Sequence, residues 1–228
     1  MKYGKLREAR FLSRPNRFVA HCELDGAAAV CHVKNTGRCR ELLIPGAKVY
    51  LQRAENPKRV TKYDLVLVEK GERLISIDSQ LPNKLFREWA ENGGVANLRL
   101  VKPESTFGNS RFDFYLETDV RRIFVEVKGV TLEEGGVAMF PDAPTLRGVK
   151  HLRELQRCVT EGYGAMAVFI IQMGGVHVLV PNERTHPEFG SALRAARDGG
   201  VEILALSCDV STEGIVAKWP VEVDLFRQ

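Results

Sequence analysis

Two acidic residues and a lysine lie in neighbouring strand-like runs, in a pattern that suits metal-dependent phosphodiester chemistry. Glu126 and Lys128 are two residues apart in the run Ile-Phe-Val-Glu-Val-Lys. Side chains two apart on a strand share a face, so these two point together. In the preceding run, Phe112 and Phe114 claim the core face, which leaves Asp113 on the opposite side. The charged segment 117–121 favours an antiparallel hairpin. We therefore predict that both carboxylates and the lysine converge.

Two carboxylates with a backbone carbonyl suit Mg²⁺, with Mn²⁺ as an alternative, so Asp113 and Glu126 are the predicted metal ligands. Such an ion neutralises charge on a phosphate and orients or acidifies the attacking water, while Lys128 could position that water or stabilise the transition state. Glu104, nine residues before Asp113, could supply a further carboxylate, as a ligand through water or as a base. These four residues are the predicted catalytic set. Alone, a Glu-x-Lys triplet is more typical of a solvated strand face, and it is Asp113 and the downstream segment that favour a site.

A helix is predicted downstream, with Thr145 as its N-cap. Its apolar stripe is formed by Val149, Leu152, Leu155 and Val159. Arg147 and Lys150 fall on a mostly basic stripe that we predict to hold a phosphate backbone, with a solvated helix face as the alternative. His151 could bond a phosphate or satisfy a buried polar contact, and a lone histidine favours the buried contact.

The first 80 residues are predicted to form a small β-barrel. The predicted strands are 18–24, 28–33, 48–53, 63–69 and 73–77. Asp25-Gly26 is a hairpin signal, and a short helix is predicted over residues 36–43. This order favours an OB-like barrel, with an SH3-like barrel as the alternative.

The barrel region is basic, because residues 1–80 hold 16 Lys and Arg against 9 Asp and Glu, whereas residues 81–228 hold 17 against 20. A basic module beside an acidic one is typical of a protein that grips a polyanion. Lys34, Arg38 and Arg40 are the predicted phosphate contacts, since guanidinium groups and helix-start amides suit phosphate. Arg14 is among the second choices. Because aromatic stacking platforms are sparse, double-stranded DNA is favoured over single strands.

Residues 81–228 are predicted to form an α/β domain around a mixed sheet. Its predicted helices are 84–91, the one after Thr145, and 187–197, and its later strands are 165–171, 176–180 and 201–206. The polar opening segment argues against a signal peptide, so a cytoplasmic location is expected. The five cysteines lack C-x-x-C spacing and are expected to be reduced thiols, with a zinc cluster near His21 and His32 as the weaker alternative.

Four ordered segments carry a family resemblance: residues 32–42, 104–114, 126–128 and 140–152. They resemble the sugar fermentation stimulation protein A family, whose second domain is similar to PD-(D/E)XK nucleases. The resemblance implies an OB-like domain over 1–80 and a restriction-endonuclease-like mixed α/β domain over 81–228. It also implies that Asp113, Glu126 and Lys128 are the acid, acid and lysine of the nuclease core, with Glu104 the upstream acid. Leu146 and Val149 depart from the family, which often has Glu and Gln there.

The resemblance implies sequence-non-specific DNA binding as the function. Two alternatives stay open: an active Mg²⁺-dependent endonuclease, and a regulator of sugar metabolism of the maltose type without catalysis. A regulator would be expected to read bases in the major groove, and the sequence shows no helix-turn-helix signature for that purpose. A homodimer is also left open.

Overall fold

Fifteen strands and three α-helices are formed by the residues that this computed structural model describes, 1–35, 37–56 and 58–227. The strands are β1 (Leu6–Asn16), β2 (Val19–Leu24), β3 (Ala27–Val33), β4 (Lys48–Arg53), β5 (Tyr63–Lys70), β6 (Arg73–Ser76), β7 (Leu98–Phe107), β8 (Ser110–Thr118), β9 (Arg122–Val130), β10 (Leu132–Glu134), β11 (Val137–Phe140), β12 (Gly164–Ile171), β13 (Val178–Pro181), β14 (Glu202–Val210) and β15 (Ile215–Val223). The helices are α1 (Leu81–Trp89), α2 (Leu146–Thr160) and α3 (Pro187–Asp198).

The first sheet closes into a five-stranded barrel. Strand β1 pairs with both β2 and β4, and β5 pairs with β4, while a parallel pairing of β3 with β5 joins the two ends. Strand β6 extends the sheet beside β5. The barrel is filled by alternate residues of its strands, among them Phe11, Leu51 and Leu65. The predicted OB-like barrel is therefore confirmed.

The helix predicted over residues 36–43 is wrong. Residues 40–42 form a turn, and the amides of Leu42 and Leu43 donate to the carbonyl of Cys39. Three carbonyls that a helix there would use, those of residues 35, 37 and 38, accept hydrogen bonds from the guanidinium of Arg14 instead. Thr36, where the helix was to begin, lies outside the described residues.

The second sheet has nine strands in the order β10-β11-β13-β15-β14-β12-β9-β8-β7. Its centre is parallel, since β12 runs parallel to both β9 and β14, and β8 adds to β9 in antiparallel fashion. Helix α1 packs on one face through Leu85 and Phe86, and α2 and α3 pack on the other through Leu155 and Phe189. The predicted mixed α/β domain is confirmed.

Regular pairing of β8 with β9 ends at Phe114, and the apolar residues of β8 before and after that point lie on different faces of the sheet. Phe114 packs near Phe86 of α1, with ring centroids 5.3 Å apart. Phe112 packs instead on the α2 side, 5.7 Å from the ring of Phe124 and 6.0 Å from that of His151. The expectation that Phe112 and Phe114 share one core face is therefore wrong, although Asp113 does lie beside Glu126.

The five cysteines are free and buried, and Cys22, Cys31 and Cys39 lie in the barrel core. Within the described ranges, no helix is long and apolar enough to cross a membrane.

Candidate functional site

The hairpin of β8 and β9 brings Asp113 next to Glu126, as the charge pattern predicted. The last regular pair is Phe114 with Val125, and the next positions on the two strands are the two acidic residues. Oδ2 of Asp113 accepts a hydrogen bond of 2.8 Å from the backbone amide of Val127. This bond fixes the aspartate against β9 at the point where β8 diverges from it.

Asn83 holds the other oxygen of Asp113. Its Nδ2 donates to Oδ1 of Asp113 over 2.9 Å, from the first turn of α1. Sequence analysis missed this residue, because nothing local links it to an aspartate thirty positions later. Its only signal was its place directly before the predicted helix 84–91.

Glu126 is bonded through one oxygen and open at the other. Its Oε1 accepts hydrogen bonds from Nζ of Lys128, at 2.5 Å, and from Nδ1 of His151. Its Oε2 is buried and has no hydrogen-bond partner among the described residues. A buried carboxylate oxygen without a partner is costly, so it marks a position where a cation or a polar ligand would be stabilised.

The two carboxylates differ in acidity because their partners differ. Burial, and then the charge of Glu126, raise the pKa of Asp113 above its usual value. Burial also pushes the pKa of Glu126 upward, but the hydrogen bond with His151 and the charge of Lys128 outweigh it, so that pKa lies below its usual value. A divalent cation between the two would relieve the repulsion that Asp113 experiences.

The two carboxylates open into a cleft of about 330 Å³, here called the carboxylate cleft. Its walls include Asp113, Glu126, Lys128, Asn83, Ser79 and Arg147. Residues of both predicted domains therefore meet there.

Helix α2 places Arg147 and His151 at the cleft. The hydroxyl of Thr145 accepts the amide of Gly148 over 3.1 Å, as the N-cap prediction requires. Nε2 of His151 accepts from Nε of Arg147 over 3.4 Å, so its Nδ1 carries the proton donated to Glu126. His151 thus satisfies a buried polar contact, the role that the sequence favoured. Three other α2 residues were singled out from the sequence. Lys150 and Leu146 are exposed, and Val149 is buried.

Among the described residues, the side chain of Glu104 makes no hydrogen bond or ion pair with the other predicted catalytic residues. Glu104 lies on β7, at the edge of the sheet, and is exposed. Its Oε2 forms a long ion pair with Nη1 of Arg111, at 3.8 Å. Its φ of 51° interrupts the regular strand at the position opposite Asp113. Its catalytic role stays a prediction.

The predicted phosphate contacts of the barrel have different surroundings. Nζ of Lys34 lies 3.1 Å from Asp64 and 3.7 Å from Asp78, so its charge is already paired. Arg38 and Arg40 are exposed. Arg14 donates to four backbone carbonyls, including that of Arg17, which makes it a structural residue and not a free phosphate contact.

Among the described residues, the cleft included, no group of three or more His, Cys, Asp or Glu side chains is arranged to hold a metal. Mg²⁺ is commonly bound by one or two carboxylates, with water and phosphate oxygens completing its shell. Asp113 and Glu126, with the unpartnered Oε2, therefore fit a hydrated divalent cation.

Comparison with known proteins decides the family. The model described as "Sugar fermentation stimulation protein RE domain" matches residues 80–214, and the one described as "SfsA N-terminal OB domain" matches residues 12–77. The chain belongs to the sugar fermentation stimulation protein family. A homolog of that name from Desulfitobacterium hafniense (strain DSM 10664 / DCB-2) is 62% identical over 217 residues, covering 95% of each chain. One from Ruminiclostridium cellulolyticum is 55% identical over 226 residues, covering 99% of this chain and all of the relative.

A solved member of the sugar fermentation stimulation protein family has the same architecture. The structure described as Pyrococcus furiosus SfsA in complex with Ca²⁺ superposes with a TM-score of 0.89 at 33% identity, covering 98% of each chain. The OB-like barrel and the mixed α/β domain are thus shared across the whole length.

Proposed function

We propose that this protein binds double-stranded DNA through its phosphate backbone, without strong sequence preference. The single observation that carries the proposal is the carboxylate cleft, in which Asp113, Glu126 and Lys128 meet beside the exposed Arg147. A cation held by two carboxylates, with a lysine and an arginine beside it, is an arrangement that suits a phosphodiester. Arg38, Arg40 and Lys150 add exposed positive charge that can contact further phosphates.

Asp113 and Glu126 would hold the divalent cation, Mg²⁺ or Mn²⁺. Two observations support this: Oε2 of Glu126 is buried without a hydrogen-bond partner among the described residues, and burial together with the charge of Glu126 raises the pKa of Asp113. The solved Pyrococcus furiosus relative is described as a complex with Ca²⁺, which supports divalent cation binding in this family. When bound, the ion would neutralise phosphate charge and acidify a water.

DNA binding is tested by fluorescence anisotropy on a plain duplex over a range of salt concentrations. Removing one phosphate-binding side chain should reduce the slope of log K against log salt by about 0.9. We expect the double variant Arg147→Gln/Lys150→Gln to bind more weakly and with a shallower slope. Arg197→Gln in α3 removes an exposed charge elsewhere and serves as the control. Equal slopes for all three proteins would contradict the proposed binding surface.

A second candidate, Mg²⁺-dependent cleavage, is favoured by Lys128, whose Nζ contacts the same Glu126 that would bind the cation. The lysine is then placed to position a water or to stabilise charge on the phosphate. Supercoiled plasmid incubated with Mg²⁺, Mn²⁺ or chelator tests it. Metal-dependent strand breaks abolished in both Glu126→Ala and Lys128→Ala would establish a nuclease, whereas binding without breaks would favour a binding scaffold.

A further inference from the structure

A second cavity, of about 320 Å³, adjoins the carboxylate cleft. We call it the junction pocket, because its walls come from both predicted domains. The wall residues include Asn35, Gly37, Ser79, Thr131, Asp142 and Thr145. Ser79 lines both cavities, and Thr145 lies two residues from Arg147 of the cleft. The two cavities are therefore adjacent, and a nucleotide next to a phosphate bound in the cleft is within reach of this pocket.

We propose that the junction pocket takes one unpaired nucleotide of a DNA strand whose phosphate lies in the carboxylate cleft. This inference rests on the proposed function and names its substrate class: DNA with an unpaired or displaced nucleotide. The pocket volume is at the lower end of the roughly 300–1,000 Å³ range of small-molecule sites. It has room for one base with its sugar and is too small for a base pair.

The charge distribution favours the base inside and the phosphate outside. Asp142 is the pocket's acidic side chain, and its carboxylate makes no hydrogen bond or ion pair within residues 1–35, 37–56 and 58–227. A carboxylate repels phosphate but accepts hydrogen bonds from the exocyclic amino group of a base. Arg38, which directly follows Gly37 of the pocket wall, and Arg147 are exposed at the outside and attract phosphate.

The wall between the two domains is closely packed, which keeps the pocket formed. A Cβ placed on Gly37 would lie 2.7 Å from Oδ2 of Asp142, so the loop after β3 and the loop before α2 touch. Asn35 is held by its Nδ2 donating to the carbonyl of Ile77 over 2.9 Å. The hydroxyl of Thr145 is already committed to capping α2, whereas no hydrogen bond within the described residues occupies the carboxylate of Asp142, which is the acceptor assigned here to the ligand.

The test compares two duplexes of equal length, one fully paired and one carrying a single unpaired 2-aminopurine. Binding is measured by anisotropy, in chelator and separately with Ca²⁺, and the base is followed by its own fluorescence. We expect the bulged duplex to bind about tenfold more tightly, the equivalent of one base contact. The emission of 2-aminopurine should change on binding.

Two variants locate the effect. Asp142→Asn keeps the size of the side chain, and Ala143→Phe fills the pocket from a partly exposed position. Both should keep the affinity for paired duplex within about twofold while the preference for the bulge falls, and melting curves confirm that they fold. Asp209→Asn makes the same charge change at an exposed site outside the junction pocket and is the control.

The outcomes separate the two proposals. Equal affinity for both duplexes, with binding still abolished in Arg147→Gln/Lys150→Gln, overturns the pocket and leaves the proposed function standing. A bulge preference that survives Ala143→Phe also overturns the pocket. No binding of either DNA under both conditions overturns both proposals.

Discussion

Nδ1 of His151 donates to Oε1 of Glu126, and this bond turns the other oxygen of Glu126 toward a position where it has no partner among the described residues. The donor is 25 residues away on α2 and is itself held by Arg147. His151 is therefore a positioning residue. It fixes which oxygen of the glutamate is open to a cation.

His151→Ala should weaken binding of a divalent cation by about tenfold or more, the usual effect of removing a group that orients a metal ligand. The affinity is measured by calorimetry with Ca²⁺. His151→Asn, whose amide can replace the Nδ1 donor, should recover part of the loss. A purely packing role would instead lower the melting temperature of both variants and leave the cation affinity unchanged.

Asp113→Asn should stabilise the cation-free protein at neutral pH, provided that its amide oxygen keeps the bond from Val127 and the amide of Asn83 rotates to accept from the new NH2 group. Because burial and Glu126 raise the pKa of Asp113, the folded state holds that proton more tightly than the unfolded state. The associated stability is present below the ordinary pKa and is lost as the pH rises through the raised value. We therefore expect the melting temperature of the cation-free protein to rise at pH 7. The variant should also lose the stabilisation that Ca²⁺ gives the parent protein. A lower melting temperature at pH 7 would contradict the cost assigned to this charge.

Glu133→Gln should destabilise the contact between the barrel and the second domain. Glu133 is 1% exposed and lies 3.0 Å from Nζ of Lys70 and 2.7 Å from Nη1 of Arg73. Both cations are about one-third exposed, so the loss should be about 2 kcal/mol, below the value for a fully buried pair. Denaturant unfolding measures it, with the exposed Glu134→Gln as control.

The pH dependence of the same variant is a separate prediction. Burial raises the pKa of Glu133, but the amide of Gly136 and the charge of Lys70 outweigh it, so the pKa lies below its usual value. Its contribution to stability is therefore present above the ordinary glutamate pKa and is lost as the pH falls through the lowered value. Glu133→Gln should flatten the acid limb of a plot of stability against pH. An unchanged acid limb would show that this carboxylate does not drive acid unfolding.

Arg14→Lys leaves the net charge unchanged but should destabilise the loop after β3. The guanidinium serves four carbonyls at once, and a lysine ammonium lacks the planar fork that reaches them. We expect a loss of about 1–2 kcal/mol, because several hydrogen bonds to a charged group are lost but the freed carbonyls are part-buried or exposed and can bond to water. The matched control is the exposed Arg17→Lys. A weaker DNA affinity without any change in stability would instead mean that Arg14 contacts phosphate.

The sequence alone predicted the features that depend on interactions between residues close together in the chain. Alternation in β9 predicted that Glu126 and Lys128 share a face. The short turn between β8 and β9 predicted the antiparallel pairing that puts Asp113 beside Glu126, although alternation within β8 was misassigned. Thr145 was identifiable as an N-cap, since a cap acts within one turn. Strand order and hairpin spacing predicted the OB-like barrel.

Only the tertiary structure decided the features that depend on which distant segments meet. It placed Asn83 on Asp113 and His151 on Glu126 through helices that pack on opposite faces of one sheet. It also committed Arg14 to loop carbonyls, where the sequence predicted a helix. It left Glu104 exposed on an edge strand. The physical reason is that local periodicity specifies the face of a strand, whereas the partner across that face is set by sheet order and by packing between residues far apart in the chain.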